Sequence, residues 1–206
     1  MIGIYGGTFN PVHYGHLRTA NEVKALFGLD DLRLLPCYQP AHRDCPQVSA
    51  AMRLKMLSLA LGEFPELSID KRELERQGIS YMVDTLASLR KENTNTPLIL
   101  FIGLDAFQGL QGWQRWQNLF DYAHIVVMTR PHFEQEKLAE FYLNRLVNNR
   151  QSLKDHSNGK IYFQQVMAVD ISATLIREKC LNNESLSDLL PENVIKYIQT
   201  QHLYRV

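Results

Sequence analysis

Cysteine is scarce in this chain. Cys37, Cys45 and Cys180 are the three among 206 residues, and no two form a C-x-x-C pair. Such a set supports neither a disulfide framework nor a zinc knuckle, and free thiols fit a reducing compartment. Cys37 and Cys45 flank His42, but at a spacing that no common zinc pattern uses. An excess of charge of one sign is also missing. Lys plus Arg and Asp plus Glu number 22 each, so the net charge is zero. That argues against a general nucleic-acid binder, which needs a basic face. No apolar run approaches the length of a membrane span. Met1 to Gly7 has neither the basic start nor the long apolar core of a signal peptide. The expectation is a cytoplasmic protein without nucleic-acid or membrane partners. Two nucleotide-binding signatures are absent as well. The first strand-to-helix turn has no G-x-G-x-x-G, and Gly159-Lys160 runs into Ile161 instead of completing a P-loop.

What is present centres on Gly6-Gly7-Thr8-Phe9-Asn10-Pro11-Val12-His13-Tyr14-Gly15-His16. The apolar run Met1 to Tyr5 reads as a buried strand before it, and Leu17 to Phe27 as a helix after it. In an open α/β sheet such turns lie at the carboxyl ends of strands, where ligands bind. The glycine pair lets the backbone turn sharply beside a ligand. His13 and His16 are three apart and can share one helix face. Unpaired amides at the helix start favour an anion, so the stretch describes a phosphate site.

The rest of the chain alternates strands with helices. Asp31 to Leu35 reads as a strand, followed by a loop to Ser49 that carries Pro40-Ala41-His42-Arg43. Ser49 caps a helix over Ala50 to Leu61, with Met52, Leu57 and Leu61 as its apolar face. Leu67 to Ile69 is a short strand, and Lys71 to Gly78 a solvated charged connection. Ser80 caps a helix from Tyr81 to Arg90. Leu98 to Ile102 is the most apolar run and reads as a central strand buried on both faces. It ends in Gly103-Leu104-Asp105, where a carboxylate can accept from a ribose hydroxyl or cap a short helix. The spacing of Trp113 and Trp116 puts both on one helical face. His124 to Thr129 is a further strand, stopped by Arg130-Pro131. Phe133 to Val147 reads as an amphipathic helix and Ile161 to Gln164 as a strand. Ser172 caps a helix in which Arg177 faces back to the helix start, giving a second anion site. Pro191 opens the last helix, Glu192 to Gln201. This succession predicts a single α/β domain over 1–206, a doubly wound parallel sheet with helices on both faces. Both anion sites follow strands, so both open on one sheet edge, over one polyphosphate.

The stretch at 6–16 resembles the H-x-G-H signature of the nucleotidyltransferase superfamily. Pro-x-His-Arg at 40–43, Arg-Glu-Leu at 72–74, Ser-Tyr at 80–81, Asp-Thr-Leu at 84–86, Gly-x-Asp at 103–105, Trp113, Arg130-Pro131 and Ile-Ser-x-Thr-x-Ile-Arg at 171–177 extend the likeness over nearly the whole chain. Together they resemble the bacterial nicotinate-nucleotide adenylyltransferases. The resemblance implies a Rossmann-like fold and transfer of AMP from ATP to nicotinate mononucleotide, giving deamido-NAD and pyrophosphate in NAD biosynthesis. It implies Mg2+ carried by ATP and no metal held by the protein. It implies catalytic roles for His13, His16 and Arg177. It puts ATP against Gly7, Thr8, Phe9, His13, His16, Arg43, Gly103, Asp105, Ile125, Arg130, Ile171, Ser172, Thr174 and Arg177. It puts nicotinate mononucleotide against Thr8, Asn10, His42, Tyr81, Met82, Thr85, Leu104 and Trp113. The chain departs from the family pattern at Asn10, where Asp is commoner, at Ala41 and Ala173, and at Met82, where Thr is usual. Two alternatives remain beside this one: an adenylyltransferase for pantetheine phosphate or nicotinamide mononucleotide, and a non-catalytic nucleotide sensor.

Overall fold

A computed structural model describes residues 1–41, 44–131 and 138–205. Its centre is a six-stranded, all-parallel sheet. In chain order the strands are β1 (Ile2–Gly7), β2 (Asp31–Pro36), β4 (Ser68–Ile69), β6 (Leu98–Gly103), β7 (His124–Thr129) and β8 (Ile161–Gln165), and in space β4-β2-β1-β6-β7-β8. The chain moves outward from β1 through β2 to β4. It then returns to the other side of β1 and continues outward to β8. The reversal lies between β1 and β6, and crevices at such reversals bind ligands. This is the doubly wound sheet expected from the alternation of elements.

The central strands form because they are apolar on both faces. Leu98, Leu100 and Ile102 pack into one core cluster and Ile99 and Phe101 into the other, as the two-residue strand period requires. One layer holds α1 (Tyr14–Phe27), α2 (Ala50–Ala60), α8 (Ala173–Leu181) and α9 (Glu192–Thr200). The other holds α4 (Met82–Glu92), α5 (Leu104–Gln108), α6 (Leu119–Tyr122) and the single turn α7 (Glu140–Leu143). Gly28 ends α1 in the left-handed conformation at φ 57°, with its amide bonded back to the last turn.

Several expectations need correction. Residues 71–78 are not merely a solvated connection. They contain α3 (Arg72–Arg76), whose Glu73 is buried and whose Arg72 pairs with Asp70 and Glu92. Ser80 is not a cap. It belongs to a two-stranded parallel ladder of β3 (Gln39–Pro40) and β5 (Ile79–Ser80), and Tyr81 precedes α4 in extended conformation. The helix expected over 133–147 is helical only at Glu140–Leu143 among the described residues, and 132–137 lie outside them. Trp113 and Trp116 do not share a helix. Trp113 is extended, Arg115 turns at φ 49°, and Trp116 begins a separate 3-10 turn.

Candidate active site

The site lies at the reversal of the sheet. β1 pairs with β6 only as far as Tyr5–Phe101, although both strands run two residues further, to Gly7 and Gly103. Each stays paired with its outer neighbour, β1 with β2 to Gly7–Pro36 and β6 with β7 to Gly103–Met128. The two strands therefore part at their carboxyl ends. The methyl group of Met82, first residue of α4, sits in front of Gly6. A Cβ there would come within 2.7 Å of it.

Past Gly7 the chain makes a tight turn, with Phe9 at φ 48° and a cis bond at Asn10–Pro11. It enters α1 with His13 at the N-cap. The rings of His13 and His16 stack at 3.7 Å, and Phe9 meets His16 edge-on at 5.2 Å. Nδ1 of both imidazoles is buried and has no hydrogen-bond partner among the described residues. Burial pulls the His13 pKa down to about 4. Burial, then the charge of His13, holds His16 well below the ordinary value. At neutral pH both rings are uncharged. Gly15 makes the stack possible, since a Cβ there would lie 2.8 Å from His13 Nδ1 and 3.3 Å from the Ile171 carbonyl oxygen.

The helix start is less open than the sequence suggests. The Tyr14 amide donates to the Leu189 carbonyl and the His16 amide to that of His13. At α8 the expected cap is present, with Ser172 Oγ accepting from the Leu175 amide at 3.1 Å. Arg177 donates from Nη1 to the Asn10 carbonyl at 2.9 Å and from Nη2 to Thr174 Oγ1 at 3.0 Å. The Ile171 contact and this bond bring the two anion sites, 6–16 and 171–177, to one place.

The other candidates divide. Asp105 is exposed in the first turn of α5, and Gly103, not Asp105, is its cap. Tyr81, Met82, Leu104 and Trp113 are all half-buried on the α4 side of the sheet, beside the parted strands. Arg130 is exposed just past β7. Thr85 is fully buried instead, donating to Glu73 Oε1 at 2.6 Å and accepting from Arg76 at 3.1 Å. Its hydroxyl is engaged inside the fold. Ile125 is the second residue of β7 and wholly buried, so its side chain does not reach the carboxyl edge or an adenine there. His42 and Arg43 lie outside the described residues.

The sequence reading missed Arg53. Its side chain is 1% exposed, and its guanidinium donates to the carbonyls of Thr8 at 2.7 Å, Cys37 at 2.8 Å and Tyr38 at 2.9 Å. A signal was available. The buried stripe of α2 is Arg53, Met56, Leu57 and Ala60, so an arginine occupies a core position at helical spacing. The Tyr38 peptide is held from its other side as well, its amide donating to Ser80 Oγ at 2.9 Å.

Comparison with known proteins follows the same line. The cytidylyltransferase-like family profile matches residues 4–179. A probable nicotinate-nucleotide adenylyltransferase of Methylococcus capsulatus is 47% identical, over 99% of this chain and 99% of its own. One of Pseudomonas aeruginosa is 45% identical, over 99% and 97%. Among solved structures, Plasmodium falciparum nicotinic acid mononucleotide adenylyltransferase complexed with NaAD superposes with a TM-score of 0.75. It covers 98% of this chain and 96% of that one at 17% identity, a likeness of fold.

Proposed function

The chain belongs to the nicotinate-nucleotide adenylyltransferases of the cytidylyltransferase-like family, and from that premise we infer how its residues carry out the reaction. It transfers AMP from ATP to nicotinate mononucleotide and releases pyrophosphate, a step of NAD biosynthesis. A phosphate oxygen of the mononucleotide attacks the α-phosphorus of ATP, and the bond to the β-phosphate oxygen breaks. The nucleophile is anionic already, so no side chain has to be activated. The protein has to hold two polyanions in line and stabilise charge moving onto the leaving pyrophosphate.

The observation that carries this reading is the stacked pair of neutral imidazoles beside Arg177. Neutral imidazoles can donate N–H bonds to phosphate without adding charge. We assign His16 to the α-phosphate, His13 to the triphosphate beside it, and Arg177 with Ser172 and Thr174 to the outgoing phosphates. Asp105 and Gly103 hold ribose, and Tyr81, Met82 and Trp113 receive the pyridine ring. No cluster of three or more His, Cys, Asp or Glu suited to a metal occurs among the described residues. Mg2+ prefers oxygen ligands and substrate phosphates, so it enters on ATP as part of the substrate. The 1–206 chain acts as one catalytic domain in the cytoplasm. No helix among the described residues is long and apolar enough to cross a membrane.

Acceptor choice rests on α4. The amides of Met82 and Val83 have no protein acceptor among the described residues, and a carboxylate suits them. Asp84 does not oppose this, because Arg115 pairs with it. The test is pyrophosphate release from ATP with nicotinate mononucleotide, nicotinamide mononucleotide and phosphopantetheine compared in parallel. We expect nicotinate mononucleotide to be preferred by at least roughly tenfold in kcat/KM, the worth of one charge-assisted bond. Equal rates with the amide would defeat the nicotinate assignment, and no release with any of the three would defeat the enzyme reading.

A further inference from the structure

Arg53 stands out for what does not pair with it. Its guanidinium is buried and, among the described residues, its Nε is unpartnered and the groups that accept from Nη1 and Nη2 are the backbone carbonyls of Thr8, Cys37 and Tyr38 and the thiol of Cys37. No carboxylate within ion-pair distance balances it among the described residues. Carbonyl dipoles satisfy hydrogen bonds but leave the net charge in place. Burying such a charge is costly, and an apolar side chain of similar volume would avoid that cost. The charge lies directly behind Thr8, in the turn between β1 and α1. Thr8 and Asn10 each turn their carbonyl towards an arginine, Arg53 from α2 and Arg177 from α8. The charges of both guanidiniums reach the hydroxyl of Tyr204, which bonds to Asn10 in the same turn.

The imidazoles in front of this turn are neutral, so they bring no charge to a polyanion. We propose that Arg53 is a built-in countercharge for the triphosphate, acting through the Thr8 turn without touching the substrate. It is a positioning residue whose positive charge no carboxylate meets at ion-pair distance among the described residues, so that the bound nucleotide adds the countercharge. The proposal rests on the adenylyltransferase reading and names a second source, beside Arg177, of that site's affinity for phosphate.

The test separates charge from fold by using two ligands. Binding of a non-hydrolysable ATP analogue and of adenosine is measured for the wild type, Arg53→Met and Arg53→Lys, with thermal midpoints alongside. Arg53→Met should bind the analogue roughly tenfold or more weakly, as expected for losing one poorly screened charge near several negative ones, with adenosine affinity kept. Arg53→Lys loses the planar fork and keeps the charge, so it should hold the analogue within about threefold of wild type. Equal weakening for both ligands in Arg53→Met would make the residue structural and overturn the proposal. So would a loss in Arg53→Lys as large as that in Arg53→Met. If Arg53→Met does not fold, Arg53→Lys decides, since a selective loss of the analogue there also overturns it. Wild-type protein that binds the analogue no better than adenosine would instead defeat the adenylyltransferase reading itself.

Discussion

The phenol of Tyr204 donates a 2.7 Å hydrogen bond to the side-chain oxygen of Asn10, 194 residues earlier in the chain. Burial raises the Tyr204 pKa, so the hydroxyl stays protonated and the bond persists across the physiological range. The backbone oxygen of the same Asn10 accepts from Arg177. One residue of the phosphate turn is thus held by two distant parts of the chain. An amide oxygen at position 10 takes this bond as a carboxylate oxygen would.

Tyr204→Phe removes only that hydroxyl. It should cost roughly 1 kcal/mol of stability, the net worth of one hydrogen bond. If the bond also aligns the turn, kcat should fall by about 3–10-fold, since small misplacements near reacting groups are expensive. Steady-state kinetics and a denaturant midpoint on the same sample check both. Full kcat with a lower midpoint would confine the bond to the fold.

The imidazole stack makes a second prediction. His16→Ala should lower kcat by a factor on the order of hundreds, as for loss of a transition-state donor, with ATP affinity changing less. Gly15→Ala should act through His13. Its new methyl would meet that ring, which would have to leave the stack. A loss on the order of tenfold in kcat is expected for such a displacement. Either variant retaining most of its kcat would remove its histidine from the mechanism.

Arg177 spans Asn10 and Thr174 with two different nitrogens. Arg177→Lys keeps the charge but gathers its donors on a single nitrogen, without the planar fork that reaches both acceptors. The expected result is a fall of roughly tenfold or more in kcat/KM with little change in thermal midpoint. Wild-type kinetics in that variant would show that the fork is not used.

The buried histidines set a pH dependence. His124 is fully buried, its Nε2 donating to the His156 carbonyl and its Nδ1 accepting from the Lys160 amide. Burial lowers its pKa to about 4. Its folded value lies below the unfolded one, so the unfolded state binds protons first as pH drops. Stability from this group is complete above about pH 6.5 and is lost as pH falls towards 4, up to about 3 kcal/mol. His13 adds to the slope in the same window. Denaturant midpoints at pH 7.5, 6 and 5 should fall in order. The His124 ring resonance should not titrate above pH 5, and an ordinary titration near 6.5 would contradict the buried pairing.

What the sequence revealed follows from burial. Strands apolar on both faces, such as Leu98–Gly103 and His124–Thr129, announce themselves by composition. The turn at 6–16 does so by glycine and histidine spacing. Polar residues working inside the fold stayed hidden, because a charged side chain reads as solvated. Glu73 and Arg53 are both buried, Glu73 within a run of charged residues and Arg53 as the one charge on the otherwise apolar stripe of α2. The bond from Thr85 to Glu73 inside the fold was likewise not legible. The misread helix at 133–147 has a different cause. Phe141 and Tyr142 lie in the one helical turn present there among the described residues and pack on Trp116 and Phe120, a demand that a single turn meets as well as a long helix.

The position of β1 in the sheet also shapes how the protein is made. Of the sheet's six strands it is the first to be synthesised, and it ends up inside, between β2 and β6. Until β6 is synthesised, the Ile2-Gly3-Ile4-Tyr5 edge has no strand to cover it on that side. At about 5–20 residues per second the wait is roughly 5–20 s. An uncharged apolar edge is a template for pairing with another nascent chain. The crevice at the strand reversal therefore comes with a window of exposure during translation, which closes only when Leu98–Gly103 docks.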